Sequence, residues 1–181
     1  MKCPCCGHDN LPGADACEQC QTSLIHVDQV LEDVQQSQTD IETSLMQEQI
    51  SSLQPVEPLC VARGTTLQQA IRIMRERRIG CVVVTDDAAG NAGRLVGILT
   101  ERDLLQKVAG QGLDYSQCMV EDFMSPSPET SKQEHPLAYA LHRMIISDIR
   151  YLPLVDEDDR PEGIISSRDV ITYIKKRFVN L

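Results

Sequence analysis

Gly97-Ile98-Leu99-Thr100-Glu101-Arg102-Asp103 occurs a second time, in altered form, as Gly163-Ile164-Ile165-Ser166-Ser167-Arg168-Asp169. Each copy reads as a buried strand, glycine followed by apolar residues, that ends on a hydroxyl residue. The hydroxyl stands at the N-cap of a following helix, and the aspartate falls in that helix's first turn. A helix N-terminus presents unpaired backbone N–H groups and the positive end of a dipole, which suits anions. The hydroxyl can add a hydrogen bond to a phosphate, and a carboxylate three residues on can accept two hydrogen bonds from a ribose diol. One copy is weak evidence; two copies in matching contexts are a strong signal.

The duplication extends beyond the motif. Ala70, Ile71 and Met74 match Ala140, Leu141 and Met144 at an offset of 70 residues, as do Ile79 with Ile149 and Asp86 with Asp156. Gly97 matches Gly163 at an offset of 66, so the connecting turn of the first copy is four residues longer. That turn, Asp87-Ala88-Ala89-Gly90-Asn91-Ala92-Gly93, has the glycine and asparagine content of a hairpin loop.

Two G-h-h-(S/T)-x-x-D copies, each after a hydrophobic strand of the Val82–Thr85 or Leu152–Asp156 kind, resemble a tandem pair of CBS domains, also called a Bateman module. The resemblance covers residues 58–181. It implies an α/β (α+β) fold in which a β-α-β-β-α unit is used twice about a pseudo-twofold axis, with two clefts between the units. It further implies adenosine-containing ligands (AMP, ADP or ATP), a regulatory rather than catalytic task, and a homodimer formed through the CBS helices. Carried onto this chain, Thr100 and Asp103 belong to one cleft and Ser166 and Asp169 to the other, with the aspartates on ribose hydroxyls and the hydroxyl residues by the phosphate. Arg102 and Arg168 precede the two aspartates and can point into the clefts. Arg150 opens the strand that contains Pro153, at a position where a basic residue reaches ligand phosphates in several family members; its counterpart is Gly80. The second copy therefore has two candidate phosphate cations and the first has one, which favours anion binding at Ser166, Asp169 and Arg150. The plain alternative is that Thr100 and Ser166 only cap helices, that the aspartates only favour the helix dipole, and that the arginines make solvent-facing salt bridges.

The N-terminal cysteines form a separate pattern. Cys3-x-x-Cys6 and Cys17-x-x-Cys20 are two knuckles separated by ten residues, a spacing that places four thiolates around Zn²⁺. Together with the Cys-Pro-x-Cys start they resemble a zinc ribbon, and a segment so short has no hydrophobic core, so metal binding is its folding energy. Cys5 crowds the first knuckle, and His8 is a weaker ligand candidate beside four cysteines. A redox-active Cys-Pro-Cys-Cys needs a helix after it, and the residues that follow read as a loop. Disulfides do not fit a chain without a secretion signal. Cys60, Cys81 and Cys118 sit in apolar settings as packed thiols.

The net charge of −10 is unevenly placed. Residues 1–57 hold ten acids and one base, whereas 58–181 hold seventeen acids and sixteen bases, so the acidity belongs to the N-terminal arm. A ribbon in so acidic a segment, with no aromatic stacking platform, argues against nucleic acid as a partner. No apolar run approaches membrane-spanning length and the start lacks an apolar h-region, which points to a cytoplasmic protein with no membrane partner. There is no nucleophile elbow, P-loop or histidine-rich metal site, so no enzyme is expected. The arginines at 72, 75, 77 and 78 read as the solvated face of an amphipathic helix.

The expected organisation is a zinc ribbon over 1–24, an acidic polar linker over 25–57, and CBS repeats over 58–112 and 113–181. Within the linker Val27, Leu31, Val34, Ile41, Leu45 and Ile50 are loosely helical in spacing, interrupted by Gln38 and Glu48; a solvated linker and a docking helix or short coiled coil both fit. Thr66 or Thr65 caps a helix with Leu67, Ala70, Ile71 and Met74 on one face, and Pro136 opens a helix with Leu137, Leu141, Met144 and Ile145 inward. The function that follows is a regulatory module that binds an adenosine nucleotide and passes its state to a partner protein. The alternatives are a non-catalytic interaction scaffold with degenerate clefts and a zinc/thiol redox sensor.

Overall fold

The structure is a computed structural model that describes residues 3, 6, 8–11, 14–21, 43–86 and 93–178. The chain divides into two units, Met1–Ser44 and Leu45–Leu181. Cys5, most of the linker stripe and the turn at 87–92 lie outside the described residues.

The second unit is built from β1 (Cys60–Ala62), α1 (Leu67–Arg77), β2 (Cys81–Thr85), β3 (Leu95–Thr100), α2 (Glu101–Asp103, running on as a π-helical turn Leu104–Val108), β4 (Ser125–Pro126), α3 (Leu137–Ile146), β5 (Tyr151–Val155), β6 (Pro161–Ser166) and α4 (Ser167–Phe178). Local chemistry explains the boundaries. β2 is buried throughout and its three valines favour a pleated, packed strand. α1 starts on a capping box in which Thr66 accepts from the Gln69 N–H and Gln69 returns the bond. In both hairpins an aspartate anchors the turn: Asp86 receives the Arg94 N–H and Asp156 the Arg160 N–H. α3 departs in detail from its expected form. Pro136 is the cap rather than the first helical residue, and Ile145 is 69% exposed instead of inward, because the buried stripe is Leu137, Ala140 and Met144.

The sheets show the duplication. β1 is parallel to β2, β2 antiparallel to β3, and β3 antiparallel to β4. In the second repeat β5 and β6 are antiparallel, Ser131 pairs in parallel with Leu154, and Val56 pairs antiparallel with Ile164. Val61 opposite Val84 and Ser131 opposite Leu154 are the same register seventy residues apart.

Each repeat also borrows the segment that leads into the other. Val120, on a 3₁₀ turn after repeat 1, is buried in the core of repeat 1 with Val61, Leu67, Met74, Val82, Val84 and Leu99. Ile50, on the 3₁₀ turn Ile50–Leu53, is buried in the core of repeat 2 with Leu137, Met144, Leu152, Leu154, Ile165 and Val170. The hydrogen bonds match as well, Val120 N–H to Thr65 C=O and Ile50 N–H to His135 C=O. The sequence places 45–57 in the linker; the structure places Leu45, Ile50 and Leu53 against the second core. Their polar neighbours hide this, because a 3₁₀ turn buries one residue and leaves the rest to solvent.

Among the described residues no helix is long and apolar enough to cross a membrane.

Candidate functional site

Each motif folds as the cap chemistry dictates. Thr100 and Ser166 each end a strand, and each gives its N–H and its hydroxyl proton to Oδ2 of the aspartate three residues on. The aspartate N–H returns to the threonine or serine oxygen at 3.3 Å in both copies. The next residue is tied across: Glu101 N–H to Gly80 C=O, and Ser167 N–H to Arg150 C=O. These contacts set both motifs beside the central residues Gly80 and Arg150.

Beyond Oδ2 the copies diverge. Oδ1 of Asp103 accepts from Ser125 Oγ at 2.9 Å and Lys107 Nζ at 2.7 Å, and the side chain is buried. Burial alone would raise its pKa, but the bonds from Lys107, Thr100 and Ser125 outweigh it and hold the carboxyl below the usual carboxylate range. In the second copy Val56 pairs with Ile164 as Ser125 pairs with Ile98, and Tyr173 stands at the position of Lys107. Neither donates to Asp169, whose Oδ1 has no hydrogen-bond donor among the described residues and faces solvent.

The cations diverge in the same sense. Arg102 Nη1 lies 2.7 Å from the Asp148 carboxylate and 2.8 Å from its carbonyl, so it is spent on an internal pair. Arg150 and Arg168 have no carboxylate within ion-pair distance among the described residues.

Two cavities follow. One, of about 300 Å³, is lined by Thr100, Arg102, Asp103, Lys107, Ser125 and Asp148 among others. The other, of about 670 Å³, gathers Arg150, Ser166, Arg168 and Asp169, with Arg77, Arg78, Glu57 and Glu101 also on its wall. Of the residues expected from the sequence, the larger cavity brings together four, and the smaller brings together Thr100, Arg102 and Asp103. Arg150 lines both. Pro153 lines neither: it is buried in β5 opposite Ile164, with its carbonyl bonded to the Ser131 N–H.

Tyr151 also lines both cavities. Burial, then the charge of Glu101, raises its pKa, so the phenol stays neutral. A Cβ on Gly80 would stand 1.9 Å from the Tyr151 hydroxyl. The first repeat thus has glycine where the second has Arg150 because a tyrosine from the second repeat fills the space. Nothing in the pattern of either strand alone signals this. Cys81, on the wall of the larger cavity, is pushed up to about 12 by burial and then Glu101, and Cys60 to about 11 by burial and then Glu57; both are neutral packed thiols.

In the first unit Cys3, Cys6, Cys17 and Cys20 converge, with all four sulfurs within 4.8 Å of one another. Cys3 and Cys20 are 3.6 Å apart at Sγ, as are Cys6 and Cys17. The edge of a tetrahedron with 2.3 Å metal–sulfur bonds is about 3.8 Å, so the cluster fits Zn²⁺. The Cys20 N–H, followed by that of Gln19, draws the Cys17 thiol below its ordinary pKa. The His8 N–H lowers that of Cys6, but desolvation and the other sulfurs push it up to about 12, a crowding that a cation relieves. Asn10 links the knuckles, donating to the His8 carbonyl and accepting the Glu18 N–H.

A family model described as CBS domain matches residues 44–110 and 120–176. An uncharacterized protein of Methanopyrus kandleri is 32% identical over 114 residues, which is 61% of this chain and 56% of that one, so the chain spans little more than half of that relative. Among solved structures, an uncharacterized conserved protein from Pyrococcus horikoshii aligns with a TM-score of 0.64 at 27% identity, covering 75% of this chain and 98% of that one. A CBS domain protein from Pyrobaculum aerophilum, complexed with AMP, aligns with a TM-score of 0.60 at 24% identity over 71% and 99% of the two chains; at that identity the likeness is one of fold.

Proposed function

The chain belongs to the CBS domain family, and from that premise we propose that its tandem pair is a regulatory module that binds an adenosine nucleotide in the cleft of the second motif. One observation carries this reading. Asp169 has an unengaged carboxylate oxygen in the same cavity as Arg150 and Arg168, whereas Asp103 and Arg102 are satisfied internally. A carboxylate with a free oxygen can accept from a ribose diol, and guanidinium groups without acid partners favour phosphate. The Ser166 hydroxyl proton is given to Asp169, so the arginines are the cleft's ready hydrogen-bond donors to a phosphate. The AMP complex of the Pyrobaculum aerophilum protein, which shares this fold, supports the ligand class. Ligand binding acts on the module by its differential affinity for two states, and the output passes to a partner protein. The test is thermal melting of the purified chain with AMP, ADP, ATP and S-adenosylmethionine. No shift with any of them moves the reading to an interaction scaffold.

The four-cysteine cluster holds a structural zinc ion in this proposal. Elemental analysis is expected to find one zinc per chain, lost in Cys17→Ser; a metal-free protein with the same circular dichroism before and after chelator would end this reading.

A homodimer through the helices is the third part. Leu105 and Ile171, equivalent positions 66 residues apart on the motif helices, are 73% and 65% exposed, and Ile146 adds to the apolar surface of α3. Such unpartnered aliphatic faces favour association. Light scattering is expected to give twice the chain mass, and Leu105→Asp with Ile171→Asp to give the monomer; a monomeric wild type would refute it.

A further inference from the structure

An ionised carboxylate offers about four acceptor positions, shared between its two oxygens. Asp103 has all of them engaged from within the chain. Its Oδ2 takes the N–H and the hydroxyl proton of Thr100, and its Oδ1 takes the Ser125 hydroxyl at 2.9 Å and the Lys107 ammonium at 2.7 Å. Asp169 receives the same two bonds at Oδ2, from Ser166, and none at Oδ1 among the described residues. The positions left open on Asp169 are those that a ribose diol needs, and they are the ones that Ser125 and Lys107 fill on Asp103.

Two separate elements put these donors in place. Ser125 lies on β4, opposite Ile98. Lys107 lies one turn beyond Asp103, on the π-helical turn Leu104–Val108. Its ammonium is held from three sides, because it also donates to the carbonyls of Phe123 at 2.9 Å and Met124 at 3.3 Å. An ammonium has three protons, so this lysine is fully committed and a ligand does not displace it at little cost. The second repeat lacks both donors. Val56, with no side-chain donor, stands at the place of Ser125, and Tyr173, at the place of Lys107, packs against the core of repeat 2. The first cleft is not short of cations, since Arg102, Lys107 and Arg150 line it. What it lacks is a free acceptor for the sugar.

Resting on the nucleotide reading above, we propose that Ser125 and Lys107 are the specificity-determining residues that keep the first motif's cleft from taking a nucleotide, by standing in for the ribose diol on Asp103. The chain then binds one nucleotide, and its first cleft is a second site closed by its own side chains.

The test is calorimetric titration of the full chain with AMP, ADP and ATP, read as nucleotides bound per chain. Wild type is expected to bind one, and Ser125→Ala with Lys107→Met to bind two, because both positions on Asp103 Oδ1 are then open. Lys107→Arg, which keeps a cation there, is expected to stay at one. Asp169→Ala alone is expected to bind none, and Asp169→Ala together with the opening pair to bind one, which places the new site at Asp103. Lys107→Met alone frees a single position and is expected to give a second site about tenfold weaker than the pair gives, the value of one charge-assisted hydrogen bond. It carries the test should circular dichroism show the pair unfolded, and a Lys107→Met protein that is itself unfolded makes the lysine a brace of the fold and overturns the closure. Two nucleotides on the wild type, or one on the folded pair, overturns the closure while the nucleotide reading stands. None on the wild type and one on the pair overturns that reading and keeps the closure. None on either overturns both.

Discussion

Asp169→Ala is expected to abolish the melting shift that an adenosine nucleotide gives the wild type, while Asp103→Ala keeps it. The two aspartates occupy the same place in the two motifs, so a conservative guess would treat them alike. Their surroundings do not allow it. Asp103 spends one oxygen on the Thr100 cap and the other on Ser125 and Lys107. Asp169 spends one on the Ser166 cap and keeps the other. Two hydrogen bonds from a diol to a carboxylate are worth about 1.5–3 kcal/mol each, so their loss weakens binding on the order of 100-fold or more. A ligand at 100 times its dissociation constant stabilises the wild type by about 2.7 kcal/mol, and at the same concentration the variant retains less than about 0.5 kcal/mol. Asp103→Ala leaves Lys107, Ser125 and the Thr100 N–H without their acceptor, which destabilises the free protein by about 1–3 kcal/mol. The difference between melts with and without ligand, not the absolute melting temperature, therefore separates the two. A ligand shift that disappears in Asp103→Ala and survives in Asp169→Ala would reverse the assignment of the clefts.

What could be read from the residues and what could not divides along a physical line. The duplicated motif, its strand-to-helix turn and the caps at Thr100 and Ser166 are local: they depend on side chains within three residues of one another, and the sequence shows them. The proposal that the second cleft is the one for anions could also be argued, from Arg150 at the position of Gly80. The pairing of each charge could not, because it is decided across the repeat boundary. Arg102 and Arg168 look equivalent until Asp148 closes on one, while the other has no carboxylate within ion-pair distance among the described residues. Arg77 and Arg78 read as a solvated helix face and are exposed; that they also border the larger cavity follows from the left-handed end of α1 at Arg78, which no glycine marks. Tyr151 is an ordinary strand residue until Gly80 makes room for it. The same holds for Ile50, whose burial is set by a core seventy and more residues away.

Ile50→Ala is expected to destabilise the second unit by about 2–5 kcal/mol, with a fall in melting temperature on the order of 10 °C. Ile50 is fully buried among Leu137, Met144, Leu152, Leu154 and Ile165, and truncation there removes apolar surface and leaves a cavity that rigid neighbours cannot fill. The size of the effect distinguishes an inserted arm from a linker. Met46, four residues earlier and 68% exposed, is the control: Met46→Ala is expected to stay within about 0.5 kcal/mol of wild type. The same logic sets where the folded module begins. A chain cut to start at Pro58 keeps every strand and helix from β1 onward, yet it loses Ile50, the Ile50-to-His135 bond and the pairing of Val56 with Ile164. A chain that starts at Leu45 loses none of these. The first is expected to melt far below the second, because the core of repeat 2 is then open on one side while that of repeat 1, closed by Val120, is intact. Equal melting of the two truncated chains would show that the arm only rests on the surface. A loss confined to the chain that starts at Pro58 confirms that repeat 2 is completed by the segment leading into repeat 1, which ties the two repeats together through that arm.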